Sequence, residues 1–144
     1  MDVCIFIGLQ ASGKSTFFRE RFAATHDYVS KDLLRNNRRP GRRQLQLVEE
    51  ALQAGHSVVI DNTNPAAEDR ADLIALGHRY HARVIGYFFP PDVKRSLRWN
   101  DQRTGKAHVP RIGIFSVLKK MTPPLYKGGV RSALSRAGAG RLSF

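Results

Sequence analysis

Apolar positions in this chain fall in short runs that alternate with stretches of helical spacing. Val-Cys-Ile-Phe-Ile at 3–7 is a continuous, largely β-branched run that stops at Gly8, the pattern of a strand covered on both faces of a parallel sheet. A helix is expected from about 14 to 24. A short second strand follows at 28–30, and Asp32 opens a short helix that Arg38-Arg39-Pro40-Gly41 interrupts. Helical spacing resumes over 42–54 through Leu45, Val48 and Leu52, with Gly55 as the stop. Ser-Val-Val-Ile-Asp at 57–61 predicts a third strand with a polar end. Asn64-Pro65 has the form of an N-cap with proline at the first helical position, opening a helix to Gly77. A fourth strand is expected at 83–89, closed by Pro90-Pro91. Helices at about 92–103 and 111–121 follow, separated by a Thr104-Gly105-Lys106 break. Strands alternating with helices specify an α/β fold with a parallel sheet of four to five strands flanked by helices. The expected organisation is one domain over 1–126 and a basic, Gly/Ser/Arg-rich tail over 127–144. In that tail only Leu142-Ser143-Phe144 offers order, and a mobile basic arm is the alternative.

Charge adds a partner class to this picture. The net charge is +12, but residues 1–93 hold 12 basic and 11 acidic side chains, whereas residues 94–144 hold 12 basic ones and a single acid, Asp101. Arg35, Arg38, Arg39, Arg42 and Arg43 form a further basic cluster around Pro40-Gly41. Such fields attract polyanions and say nothing about fold; a generally basic protein with no polyanionic partner is the bland alternative. The lone Cys4 sits in the first apolar run and has no cysteine to pair with, so a buried structural thiol in a reducing compartment is expected. No run approaches the ~18 apolar residues of a membrane span, and the first is too short for a signal-peptide core. A cytoplasmic location is the expectation.

The chemistry concentrates at strand ends. Gly8, Gly13, Lys14 and Ser15 fit G-x-x-x-x-G-K-[ST] between an apolar strand and a helix, the context that gives this pattern its meaning as a P-loop. Residues Gly8, Gln10, Ala11, Ser12, Gly13, Lys14, Ser15 and Thr16 are thereby expected to cradle the phosphates of ATP. Backbone N–H groups and the helix N-terminus supply positive potential, Lys14 reaches the β and γ phosphates, and the Ser15 hydroxyl ligates Mg2+. Asp61 ends a strand of the Walker-B type at the sheet edge where such folds bind ligands, although Asp61 and Asn62 also suit plain loop capping. Asp32 follows the second strand at the same edge and can accept the proton of an attacking hydroxyl. Arg35, one turn later, can grip an anion. An N-cap and a solvated arginine are the equally open alternative. Arg98, Arg103 and Lys106 surround a Thr-Gly hinge that suits a helical lid bringing a guanidinium to a transferring phosphoryl group, or a plain basic helix end. The five histidines make no metal-ligand spacing.

Taken in order, Gly-Leu-Gln-Ala-Ser-Gly-Lys-Ser-Thr (8–16), Ser-Lys-Asp-Leu-Leu-Arg (30–35), Val-Ile-Asp-Asn-Thr-Asn-Pro (59–65), and Asn-x-x-Arg (100–103) before Val109-Pro110 resemble the 5′-kinase module of polynucleotide kinases. The resemblance runs from residue 3 to about 125 and includes Pro-Pro-Leu at 123–125. It implies a P-loop kinase fold with a helical lid, and ATP- and Mg2+-dependent transfer of the γ-phosphoryl group to the 5′-hydroxyl of DNA or RNA. On that resemblance Asp32 is the general base, Arg35 binds the acceptor's terminal phosphate, Asp61 and Thr63 order the acceptor site, and Arg103 stabilises transition-state charge. The chain is compact between Arg35 and the third strand, so part of the acceptor channel is reduced, or rebuilt from Arg38, Arg39, Arg42 and Arg43. A small-molecule P-loop kinase and a nucleic-acid-binding ATPase without kinase activity are the rival functions.

Overall fold

Five strands lie in the order β2-β3-β1-β4-β5 in the computed structural model, which describes residues 1–105, 108–122 and 140–144. β1 (Asp2–Ile7) is central, with β3 (Ser57–Asp61) and β4 (Arg83–Phe88) parallel on either side and β2 (His26–Val29) parallel outside β3. Between them run α1 (Lys14–Arg21), α2 (Pro40–Gln53) and α3 (Ala67–Arg79); α4 (Val93–Asp101) and α5 (Arg111–Lys120) follow β4. Lys106, Pro123-Pro124-Leu125 and residues 127–139 of the expected tail lie outside the described residues. No described helix is long and apolar enough to cross a membrane.

The continuous apolar run of β1 is covered on both faces, and its alternation divides the core in two. Val3, Ile5 and Ile7 join Val48, Leu52, Val58, Ile60, Leu73 and Val84 in one cluster. Cys4 and Phe6 point the other way, into a cluster with Phe17, Phe22, Val59 and Phe89. The second cluster is aromatic, with the Phe6, Phe17, Phe22, Tyr87 and Phe89 rings at centroid separations of 5.4–5.8 Å. Phe17 thus fastens α1, and the loop before it, to the sheet. Burial pushes the Cys4 thiol up to about 12, which fits the inert thiol expected.

Several expected boundaries move for local reasons. Pro40 does not interrupt a helix; it opens α2 at the N-terminal turn, where its missing N–H costs nothing. Asn64-Pro65 does not open α3. Asn64 takes a left-handed φ of 43° and donates its side-chain amide to the Phe6 carbonyl at 2.8 Å, so the helix starts only after Ala66. Gly77 does not end α3 either. A Cβ there would sit 2.5 Å from Val84 Cγ2 and 3.3 Å from Val3 Cγ2, so this glycine is what lets α3 approach the sheet. At the far edge β5 (Gly140–Ser143) pairs antiparallel with β4. The Phe144 ring packs on Gly86, where an added Cβ would lie 2.5 Å from a ring carbon.

The order of the strands fixes the place of the chemistry. From β1 the chain crosses toward β2, whereas from β3 it crosses to β4 on the other side of β1, so two neighbouring strands send their following loops in opposite directions. Ligands of open α/β sheets bind in the crevice at that point. The register Phe6↔Asp61 puts the end of β3 beside the turn that leaves β1.

Candidate active site

The turn after β1 wraps tightly because two of its residues accept left-handed geometry, Ala11 at φ 56° and Gly13 at φ 92°. Gly8 must lack a side chain, since its Cβ would fall 2.8 Å from Phe89 Cβ. The Gly8 N–H donates to the Thr63 carbonyl at 3.0 Å, which ties this loop to the one after β3. Lys14 is buried, and its ammonium donates to the carbonyls of Gly8 and Leu9 and to Ser12 Oγ. Burial pushes Lys14 down to about 8, Asp61 pulls it back, Arg103 pushes it further down and Asp32 opposes that. Asp61, Asp32 and Arg103, taken from three separate segments, therefore all lie within electrostatic reach of this one amine.

Asp61 is buried and does not satisfy loop amides. Its Oδ2 accepts from Ser15 Oγ at 2.8 Å and from the Tyr28 hydroxyl at 2.8 Å. Burial, with Asp61 next, pushes the Tyr28 phenol up to about 12, so it remains a donor. The loop work falls to Asn62, which accepts from the Lys31 N–H at 2.8 Å and donates to Gln44 Oε1. Two hard oxygens, Ser15 Oγ and Asp61 Oδ2, stand together at the P-loop. A magnesium ion takes few protein ligands and completes its shell with water and substrate phosphates, so this pair fits it. Among the described residues no group of three or more His, Cys, Asp or Glu side chains is gathered to hold a metal on its own.

Asp32 sits in a 3₁₀ helix, Lys31–Leu34, whose N-cap is Ser30; the Ser30 hydroxyl accepts from the Asp32 N–H at 3.3 Å. The capping role is thus filled, and the Asp32 carboxylate, its side chain 80% exposed, faces outward with Arg35 at 3.3 Å. Asp32, Arg35, Lys14, Ser15, Asp61, Thr63, Arg103, Tyr28 and Gln10 all line one cleft of about 700 Å³. Ala11, Ser12, Gly13 and Thr16 line it as well, so every expected site residue but Gly8 reaches it, and Gly8 anchors its floor.

The lid segment is held by a residue whose structural task the sequence did not disclose. Asn100, fully buried at the end of α4, donates to the Val109 carbonyl and accepts from the Val109 N–H at 2.8 Å. This two-way clasp joins the end of α4 to Val109, just before α5, with Arg103 between the two in sequence and the Asp101–Arg111 ion pair at 2.8 Å beside it. The far end of α5 is pinned by buried Arg70, which donates to the carbonyls of Asn64 and Thr122, and by Thr122 N–H to the Pro65 carbonyl at 2.7 Å. Trp99, 41% exposed, lies against Gly13 and stacks with Arg95 at 4.8 Å. Asn62 does the loop capping its position after β3 suggested, whereas Tyr28, Gln44, Arg70 and Trp99 carried no sequence signal beyond their types.

The profile of the AAA-domain family AAA_33 matches residues 3–124. The "Bifunctional polynucleotide phosphatase/kinase" of Schizosaccharomyces pombe is 30% identical over 84 residues, covering 58% of this chain and 20% of that protein. A chain in the structure of the Pnkp1/Rnl/Hen1 RNA repair complex superposes with a TM-score of 0.71 at 25% identity, over 83% of this chain and 43% of the other. A gluconokinase from Sinorhizobium meliloti 1021 shares the fold with a TM-score of 0.64 at 19% identity, over 90% of this chain and 79% of its own. The chain thus spans about a fifth of the curated relative and under half of the repair-complex chain. These likenesses make the domain P-loop kinase-like, and its resemblance to polynucleotide kinases holds beyond the motifs alone.

Proposed function

This chain belongs to the AAA_33 family of AAA domains, and we propose that its cleft transfers the γ-phosphoryl group of ATP to the 5′-hydroxyl of a polynucleotide. One observation carries the reading: an outward-facing carboxylate, Asp32, relieved of capping by Ser30 and paired with Arg35, lines the same cleft as the P-loop. A proton acceptor beside an anion-binding guanidinium suits a hydroxyl that lies next to a phosphate. The kinase half of the yeast relative's name and the repair complex point the same way.

In this reading Lys14 exchanges the Gly8 and Leu9 carbonyls for β- and γ-phosphate oxygens, and the P-loop N–H groups hold the rest of the triphosphate. Ser15 and Asp61 would hold magnesium, which when bound would supply positive charge to the phosphates. Arg35 fixes the acceptor's terminal phosphate, and Thr63 and Asp61 border the acceptor. The 5′-oxygen bonds to the γ-phosphorus as the bond to the β–γ bridging oxygen breaks; the hydroxyl proton passes to Asp32 and ADP leaves. Arg103 faces the transferring group, where its planar fork matches the equatorial oxygens.

The test is incubation with γ-labelled ATP and magnesium against 5′-hydroxyl oligodeoxynucleotides, 5′-hydroxyl oligoribonucleotides, the same strands already 5′-phosphorylated, and small hydroxylated acids such as gluconate. Label is expected on 5′-hydroxyl strands only. Label on the small acids and none on the strands would overturn the proposal in favour of a small-molecule kinase. Label released as inorganic phosphate with every acceptor would leave an ATPase.

A further inference from the structure

Four arginines, Arg38, Arg39, Arg42 and Arg43, stand together outside the cleft. Arg39 is the N-cap of α2 and makes no side-chain capping bond, while Arg42 and Arg43 stand in the first turn, which holds no acidic residue. The N-terminus of a helix carries partial positive charge, so cations there work against the helix. Helix stability does not account for them. Arg43 has Glu50 at 3.7 Å and Gln46 at 3.4 Å. Among the described residues no carboxylate lies within salt-bridge distance of Arg38, Arg39 or Arg42, and residues 106–107 and 123–139 contain no Asp or Glu.

These arginines gather around one recess. Arg38, Arg39, Arg42 and Arg43, with the amides Asn37 and Gln46, line a shallow hollow of about 430 Å³ that includes no acidic side chain. Its rim joins the cleft through the chain itself. Asn37 N–H donates to the Leu34 carbonyl at 2.9 Å, and Leu34 ends the 3₁₀ helix that carries Asp32 and is capped by Arg35. Three residues of chain span at most about 11 Å, so Arg38 stands within that distance of Arg35, backbone to backbone. Guanidinium groups present planar donor forks that match phosphate oxygens, and a set such as Arg38, Arg39 and Arg42, with no carboxylate in salt-bridge distance among the described residues, raises the local concentration of anions.

We propose that this recess is a second phosphate-binding site, taking the backbone phosphates of a single-stranded polynucleotide whose 5′ end occupies the cleft. It deepens the function proposed above and rests on it for the identity of the strand. A phosphodiester chain leaving Arg35 meets the recess next, and each phosphate held there ties the acceptor down without touching the reacting atoms. The arginines thus set preference for length.

The experiment uses the Arg39→Ser/Arg42→Ser double variant of the whole chain, both positions being exposed, with Arg39→Lys/Arg42→Lys as the charge-keeping control. Binding is read first, by anisotropy of a fluorescent ten-nucleotide strand already 5′-phosphorylated, between about 50 and 200 mM salt. The serine variant should bind roughly tenfold more weakly at the lower salt, with a log–log salt slope shallower by ~1.4, for two phosphates at ~0.7 each. The lysine control should keep most of the slope. Unchanged affinity and slope would overturn the proposal, as would binding of a mononucleotide as tightly as the ten-mer, which would mark a small-anion site. Transfer is read second, as the ratio of kcat/KM for a ten-nucleotide 5′-hydroxyl strand to that for a nucleoside 3′-phosphate. The serine variant should lower this ratio about tenfold, and equal loss on both acceptors would overturn the proposal. If strand binding behaves as expected but no acceptor is phosphorylated by the unaltered chain, the recess stands and the kinase reading falls.

Discussion

Lys14 is buried without a carboxylate in contact, and its amine is turned onto the carbonyls of its own loop. Its pKa in the folded, ligand-free protein is about 8, below the ordinary 10.5. Between those values the unfolded chain binds the proton more readily, so this group's penalty on folding is fully present below pH 8 and is relieved as pH rises toward 10.5. Bound phosphate favours the charged amine and reverses the preference. Affinity for magnesium-bound ATP should therefore hold from pH 7 to about 8 and then decline, at the steepest by ~10-fold per pH unit, and Lys14→Met should remove the decline along with most of the affinity. Titration calorimetry at fixed magnesium from pH 7 to 9.5 checks this; a flat profile would mean that Lys14 does not meet the phosphates. Lys14 and Ser15 were legible because the P-loop is a local pattern whose spacing carries its geometry. Tyr28 was not, because its partner Asp61 lies 33 residues away and the two meet only through the pairing of β2 with β3. Asp32 was half legible: Ser30, two residues earlier, fills the cap and leaves the Asp32 carboxylate free of that task, and its part as base belongs to the proposed reaction.

Among the elements, the lid depends on one amide. Replacing Asn100 by Ala leaves both the N–H and the C=O of Val109 without their side-chain partner, a loss of about 1–3 kcal/mol for two part-buried bonds at about 0.5–1.5 kcal/mol each. Melting should fall by a few degrees for a domain of this size. Transfer should fall further than folding does, on the order of tenfold, because Arg103 lies between the two clasped residues in sequence and small misplacements are costly in rate. Calorimetric melting together with kcat on the intact fold checks both; normal kcat after loss of the clasp would detach Arg103 from the reaction. The strands and most helices were legible from period and punctuation. What misled at the boundaries was the double meaning of proline and glycine. Pro40 reads as a breaker or as a first helical residue depending on whether the residues before it are helical, and Gly77 reads as a stop until Val84 and Val3 are seen pressed against it.

For the whole molecule, the alternation of strands and helices was enough to give a parallel sheet, and residues 10–16, Asp32, Arg35, 61–63 and Arg103 meet in one cleft at the point where the crossovers from β1 and β3 diverge. The antiparallel edge strand was not legible, since four residues rich in small and polar types show no period, and it is the Phe144 ring on Gly86 that secures them. In the proposed reaction Asp32 takes the proton of a hydroxyl at a strand's 5′ end. The most direct measurement compares wild type with Asp32→Asn in one experiment: label transferred from γ-labelled ATP to a 5′-hydroxyl oligonucleotide, and ATP binding followed by the fluorescence of Trp99, the single tryptophan, which lies against Gly13. Removing a general base costs roughly 10²–10⁴-fold, so Asp32→Asn should lose transfer on that scale with the ATP binding curve essentially unmoved. Transfer at the wild-type rate, or loss of transfer and ATP binding in equal measure, would contradict that role for Asp32.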